Sequence, residues 1–270
     1  MLWQPLSRTN SGFVDGMAMR KMGANNEYLR ESVKGAPIIV LAYRYTGAQF
    51  AWSIRNLKIT PNQLSLIGFM FGCFSAVLFS LDDYRFLVCG TVLYQICIVL
   101  DYSDGSLARI KNMTSLLGIW LEAVFDPIRE FLVVFGICWG LYAKTGNLMV
   151  WAFGLILCGT NYMMDIQILT FESFPFAEEG IRTFAPKSKL YKAAKQFISV
   201  RTTRYVAIIL FAIMDRMFLF LVFFSIYNML IFLLLAFQLG RVVKAQDNFD
   251  EPALEANLSE DGSHRNRKGG

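Results

Sequence analysis

The sequence predicts an all-α integral membrane protein, a bundle of six spanning helices preceded by an amphipathic helix lying on the membrane surface. Three observations carry this reading. Of 270 residues, 55% are hydrophobic and only 17% are charged, against about 45–50% and about 25% in an ordinary soluble domain. The mean hydropathy is positive, at +0.41. Apolar runs of about 20 residues, enough to cross ~30 Å of hydrocarbon, recur along the chain.

Residues 1–58 read as a cytosolic arm with a juxtamembrane helix. Its first 35 residues are polar and of mixed charge rather than basic and then apolar, so no secretory signal is expected. Between Tyr45 and Leu57, the apolar Phe50, Ile54 and Leu57 recur at helical spacing beside Arg44, Arg55 and Lys58. That pattern suits an interfacial amphipathic helix. Residues 59–243 read as the transmembrane domain, with spans at about Pro61–Ser80, Tyr84–Ala108, Leu116–Tyr142, Leu148–Thr170, Arg204–Ile213 and Met217–Val243. The fifth is short and draws on amphipathic residues before it. Only Asp215 and Arg216 separate it from the sixth, so one long, kinked stretch is the alternative to two spans. Residues 244–270 read as a disordered cytosolic tail.

With six spans, one side of the membrane holds Arg8 to Lys58, Arg109, Lys111, Arg182 to Arg204 and Arg241 to Lys268, while Arg85, Lys144 and Arg216 fall on the other. The positive-inside rule makes the first side cytoplasmic, with both termini there. In a bacterium this would be the inner membrane. No nucleic-acid partner is expected. The basic stretch Lys187, Lys189, Lys192, Lys195, Arg201 and Arg204 suits anionic lipid head groups.

The single histidine, His264, lies in the polar tail, which removes histidine-ligated metal sites, HExxH proteases and Ser-His-Asp triads from the body of the chain. The five cysteines sit in apolar runs, none in a CxxC pair, and read as free thiols packed as small hydrophobes. Acid–base chemistry therefore falls to carboxylates, Lys, Tyr or Cys.

Carboxylates do lie inside apolar helices. The second span ends in Asp101-Tyr-Ser-Asp104-Gly105-Ser-Leu-Ala108-Arg109, and the third begins Gly118-Ile-Trp-Leu-Glu122-Ala-Val-Phe-Asp126. One Asp at the centre of a spanning helix costs about 2.5–3.5 kcal/mol, so four acids cost on the order of 10 kcal/mol unless compensated. Asp101, Asp104 and Ala108 share one helix face by spacing, and so do Gly118, Glu122 and Asp126. Folding the two helices as an antiparallel hairpin about Met113 sets Asp104 level with Glu122 and Asp101 level with Asp126. The acids then lie roughly 14–18 Å along the helices from the turn. Four oxygen ligands without His or Cys suit hard divalent ions, Mg²⁺ or Mn²⁺, and four negative charges suit two of them. Such ions point to a phosphorylated or nucleotide substrate, with Arg109 placed for a phosphate oxygen.

The run from Asp101 to Asp126 resembles the signature of the CDP-alcohol phosphotransferases, DxxDGxxAR-x8-GxxxDxxxD, with every spacing kept and one fixed residue changed: Glu122 stands where the family has its third Asp. The Thr60-Pro61-Asn62 start of the first span is similar as well. The resemblance implies a six-helix membrane domain, commonly a homodimer, whose site opens to the cytoplasm. It implies transfer of a phosphoalcohol group from a CDP-alcohol to an acceptor hydroxyl with release of CMP, as in phospholipid, glycolipid or polymer synthesis. Carried over residue by residue, it assigns Asp101, Asp104, Glu122 and Asp126 to two divalent ions, and Gly105, Ala108, Arg109 and Asn62 to the CDP moiety. Asp126 would take the proton of the acceptor hydroxyl.

Glu122 lengthens its reach by about 1 Å, and a misplacement of that size at a reacting centre can cost about 10²-fold. A weakened member that binds metal and CDP-alcohol is therefore the alternative, with an intramembrane cation pathway as a further one. Arg129 and Glu130 either form a polar network below the site or pair with each other. Asp165 in the fourth span, with Arg201 and Arg204, is the candidate acceptor-binding set.

Overall fold

The computed structural model describes residues 38–81, 83–173 and 200–267. Most of the expected cytosolic arm and the lysines from Lys187 to Lys195 lie outside the described residues. Those described form helices and connecting turns with no strand: α1 (Ile38–Ile54), α2 (Pro61–Phe79), α3 (Tyr84–Lys111), α4 (Leu116–Thr145), α5 (Met149–Glu172), α6 (Val200–Ile213) and α7 (Met217–Arg267). The described residues within 1–158 and 199–225 form one compact unit, and those within 159–198 and 226–270 a second.

Local chemistry fixes the helix ends in the first unit. Thr60 and Gln63 form a reciprocal capping box at the start of α2, and Pro61 follows at the position where a missing N–H costs least. Asp83 caps α3 by accepting from the Arg85 N–H, and the Arg85 guanidinium holds its carboxyl below the usual range. At the far end of α3, Asn112 takes the left-handed conformation at φ 54, which turns the chain into the hairpin. Ser115 Oγ accepts from the Gly118 N–H to open α4, and Gly146, at φ 65, closes it. Asp215, at φ 51, separates α6 from α7, so the last two apolar stretches are distinct helices rather than one kinked stretch.

Among the described residues, four helices are long and apolar enough to cross a membrane: Pro61–Phe79, Tyr84–Lys111, Met149–Phe171 and Met217–Lys244. Four of the expected six spans thus stand among the described residues. α4 has 30 residues, but Glu122, Asp126, Arg129 and Glu130 crowd its first half and lower its apolar character. The fifth expected span is short, with an apolar run over Thr203–Ile213. Large apolar side chains face outward on the long helices, among them Phe74 on α2, Leu155 on α5 and Phe223 on α7, each more than half exposed. Such a surface suits hydrocarbon rather than water.

α1 begins and ends earlier than the interfacial helix expected from the sequence, leaving Leu57 beyond its end. Its Ala48 and Ala51 are fully buried, with Ala51 in a cluster with Leu64, Leu100 and Leu107. Backbone contact is closest where α2 meets α4. A Cβ on Gly136 would run into the Ala76 carbonyl, and one on Gly140 into the Phe79 carbonyl. These glycines, four residues apart, let the two backbones meet without side chains between them.

In the second unit, α7 continues as a helix to Arg267, through residues read from the sequence as a disordered tail. Here the Asn228 Nδ2 donates to Asn161 Oδ1 at 2.9 Å, and both residues are buried. This is the kind of polar tie that apolar helices use within a bilayer.

Gly136→Ala is expected to lower the unfolding midpoint in detergent, with a loss of about 1–3 kcal/mol or more, because the obstacle is backbone rather than a movable side chain. Gly159→Ala, where an added Cβ meets nothing within 4 Å, is expected to leave the midpoint unchanged or slightly raised.

Candidate active site

The acids lie on α3 and α4, each of which packs against α2, and α2 supplies the third wall of the site. Asp101, Asp104, Glu122 and Asp126 are all half-buried. Asp101 and Asp126, expected to stand at one level, are bridged by a single guanidinium. Arg129 Nη1 donates to Asp101 Oδ1 at 3.0 Å, and Arg129 Nη2 lies 3.0 Å from Asp126 Oδ1. Asp101 also lies within electrostatic reach of Asp104, Glu122 and Asp126. Among the described residues, no three of His, Cys, Asp or Glu close into a ready-made ion-binding group.

Asp104 is held from two directions. Ser65 Oγ, on α2, donates to Asp104 Oδ2 at 2.5 Å, and the Gly105 N–H donates to Oδ1 at 2.5 Å. Asn62 opens the same helix, and its Oδ1 would lie 3.2 Å from a Cβ built on Gly118. Gly118 of the motif thus leaves space for the Asn62 amide. Gly105 and Ala108 are half-buried on α3, and Arg109 is exposed, with Nη2 donating to Ser106 Oγ at 3.3 Å. Lys111 Nζ donates to the carbonyls of Leu57 at 2.6 Å and Ile59 at 2.7 Å, which fixes the linker leading into α2.

Arg129 and Glu130 do not simply pair with each other. Arg129 turns to the acids, and Glu130 turns to α6, where its Oε1 lies 2.9 Å from Arg204 Nη2 and accepts from the Tyr205 hydroxyl at 3.2 Å. The polar network continues through the Tyr205 carbonyl, which accepts from Gln95 Nε2, and Gln95 Oε1, which accepts from the Tyr43 hydroxyl. Of the acceptor-binding candidates, Arg204 is thus 3% exposed and ion-paired. Asp165 belongs to the second unit, and the Arg201 side chain lies outside the described set.

Sequence reasoning missed Ser65, Gly72 and Lys111. Ser65, Gly68, Gly72 and Ala76 form a small-residue stripe on one face of α2, a signal that was present in the spacing. A Cβ on Gly72 would lie 2.7 Å from Arg129 Cγ and 2.8 Å from Cδ, so this glycine makes the slot in which the Arg129 stem lies.

Several long apolar helices, with acidic residues gathered on two of the helices, define the class as an integral membrane protein. The family model for CDP-alcohol phosphatidyltransferase matches residues 58–238, and the chain belongs to that family. It is 33% identical over 113 residues to an archaetidylinositol phosphate synthase of Pyrococcus horikoshii, covering 42% of this chain and 55% of that one. It is 33% identical over 99 residues to a bifunctional IPC transferase and DIPP synthase of Aquifex aeolicus, covering 37% and 22%. A protein of the same description from Archaeoglobus fulgidus is 34% identical over 101 residues, covering 37% and 20%. The matched part therefore spans between about a fifth and about half of these relatives' lengths.

Removing one member of the Arg204–Glu130 pair is expected to cost about 3–5 kcal/mol, because a buried charge is left uncompensated, whereas replacing both by apolar residues restores most of it. Unfolding of Arg204→Met, Glu130→Leu and the double variant in detergent checks this. A double variant as unstable as Arg204→Met alone contradicts it.

Proposed function

We propose that this chain transfers a phosphoalcohol group from a CDP-alcohol to an acceptor hydroxyl and releases CMP, in lipid synthesis. The observation that carries the reading is the convergence of Asp101, Asp104, Glu122 and Asp126 on one hairpin within the family match. Lys and Arg counts favour a site facing the cytoplasm, and family resemblance favours a homodimer. The surface helix expected before the first span remains part of the reading, with α1 as its candidate.

The donor set fits hard divalent ions. Its ligands are oxygens alone, they are close enough to act on one another, and a guanidinium already bridges two of them as a cation. Asp101, Asp104, Glu122 and Asp126 would hold Mg²⁺ or Mn²⁺, which when bound would neutralise the diphosphate and the departing CMP.

The chain's own residues do the rest. Ser65 and the Gly105 N–H fix the Asp104 carboxylate. Asn62 and Arg109, at the ends of α2 and α3, bind the CDP portion, with Gly105 and Ala108 leaving it room. Asp126 Oδ1 lies against Arg129, so Oδ2 receives the proton of the acceptor hydroxyl. The acceptor oxygen forms its bond to the β-phosphorus as the bond from that phosphorus to the CMP oxygen breaks. The name of the Pyrococcus relative puts an inositol phosphate first among acceptors to test, with CDP-linked lipids as donors. Arg201 and Asp165 remain acceptor candidates, and Arg204 acts on an acceptor only if it leaves Glu130.

CMP release from the purified chain, given a panel of CDP-alcohols and hydroxyl acceptors with Mg²⁺ or Mn²⁺, tests the reading. Asp126→Asn is expected to lower the rate about 10²–10⁴-fold, the usual contribution of a positioned base. A variant that keeps the wild-type rate removes Asp126 from that role. Glu122 favours one second reading, a weakened transferase that holds CDP-alcohol and metal but turns over slowly. In that case Glu122→Asp raises the rate by about tenfold or more.

A further inference from the structure

In the transfer chemistry Arg129 only engages one oxygen of Asp126, yet it is among the most constrained side chains in the first unit. Its guanidinium gives one nitrogen to Asp101 on α3 and another to Asp126 on α4, each at 3.0 Å. The side chain is 3% exposed, so it has no stretch of water into which to swing. Its stem lies where Gly72 of α2 has no Cβ, with Cys97 Sγ beside the same gap at 3.2 Å. Three helices thus build this slot.

Resting on the function proposed above, we propose that Arg129 is the resident counter-cation of the carboxylate cluster, and that this chain takes one divalent ion tightly and a second only in competition with the guanidinium. The physical basis is charge. Arg keeps its proton under all ordinary conditions, so its positive charge is permanent. With all four carboxylates ionised, as ligation of a metal requires, Arg129 leaves the cluster three net negative charges. One divalent ion reduces that to one negative charge, and a second carries the cluster past neutrality before any donor has bound. In a half-buried site that overshoot is costly.

The geometry points the same way. Arg129 occupies Oδ1 of both Asp101 and Asp126. Asp104 is set by Ser65 and Gly105 instead. A first ion can draw on Asp104, Glu122 and the remaining oxygens, whereas a second must share the pair that Arg129 holds. The diphosphate of a bound donor adds negative charge and lowers that barrier, so the second ion arrives with the donor. Arg129 is in these terms a positioning residue: it aims Asp101 and Asp126 when the cluster is otherwise short of cations.

The test is a Mn²⁺ titration of the full chain in nanodiscs without donor, followed by the paramagnetic resonance signal of free Mn²⁺. Wild type is expected to bind one ion, with the second weaker by about tenfold or more, the effect of one nearby charge. Arg129→Gln is expected to narrow that gap by about tenfold. If Arg129→Gln does not fold, Gly72→Ala crowds the same stem and is expected to narrow the gap in its place. Two equally tight ions in wild type overturn the proposal, as does an unchanged gap in the variant. CMP release alongside two equally tight ions leaves the transferase reading standing and removes only the role of Arg129. Absence of both Mn²⁺ binding and CMP release takes the transferase reading with it.

Discussion

Four carboxylates held within an apolar bundle need positive charge close by, and much of the first unit is arranged around supplying and fixing it. Arg129 enters the cluster from α4 and ties it to α3. It fits there because α2 presents Gly72 rather than a side chain. The same helix places Ser65 on Asp104 and Asn62 beside Gly118. α2 is thus both packing partner and third wall of the site, and its start is fixed by the Thr60 capping box and the Lys111 clamp on the preceding linker.

A second buried ion pair lies one residue further along α4. Glu130 holds Arg204 and the Tyr205 hydroxyl, which anchors α6 to the same helix that carries Asp126. Buried pairs of this kind contribute little net stability, since desolvation offsets most of the attraction, but they penalise every arrangement that separates the partners. Adjacent residues on α4 thereby fix two different neighbours, α3 through Arg129 and α6 through Glu130. Small displacements of the acids, which a bundle held only by apolar contacts would tolerate, are resisted.

Much of this was legible in the sequence because periodicity and solvent preference are local properties. The bounds of α2 and the starts of α3, α4 and α7 follow from apolar run length and cap residues. The levels of Asp101 and Asp126 follow from antiparallel geometry about the Asn112 turn. Partner choice was not legible, because it depends on which face of a third helix approaches. Arg129 and Glu130 stood side by side in the sequence with two outcomes open, and tertiary packing gave each a different partner. Ser65 and Gly72 carried a visible small-residue spacing, but nothing local says that the space left by a glycine is filled by an arginine from another helix. The departures at α4 and α6 have different causes: residues that serve the polar interior lower the apolar character of α4, whereas α6 is apolar but short.

The central claim is that the α3–α4 hairpin is a divalent-ion site serving a CDP-alcohol. Anomalous scattering from crystals grown with Mn²⁺ and a CDP-alcohol tests it most directly. The account predicts a Mn²⁺ peak about 2.1 Å from carboxylate oxygens drawn from Asp101, Asp104, Glu122 and Asp126, as hard ions of this size require, with the donor diphosphate against it. A bound donor with no Mn²⁺ at the hairpin, or Mn²⁺ held by other residues, would contradict it.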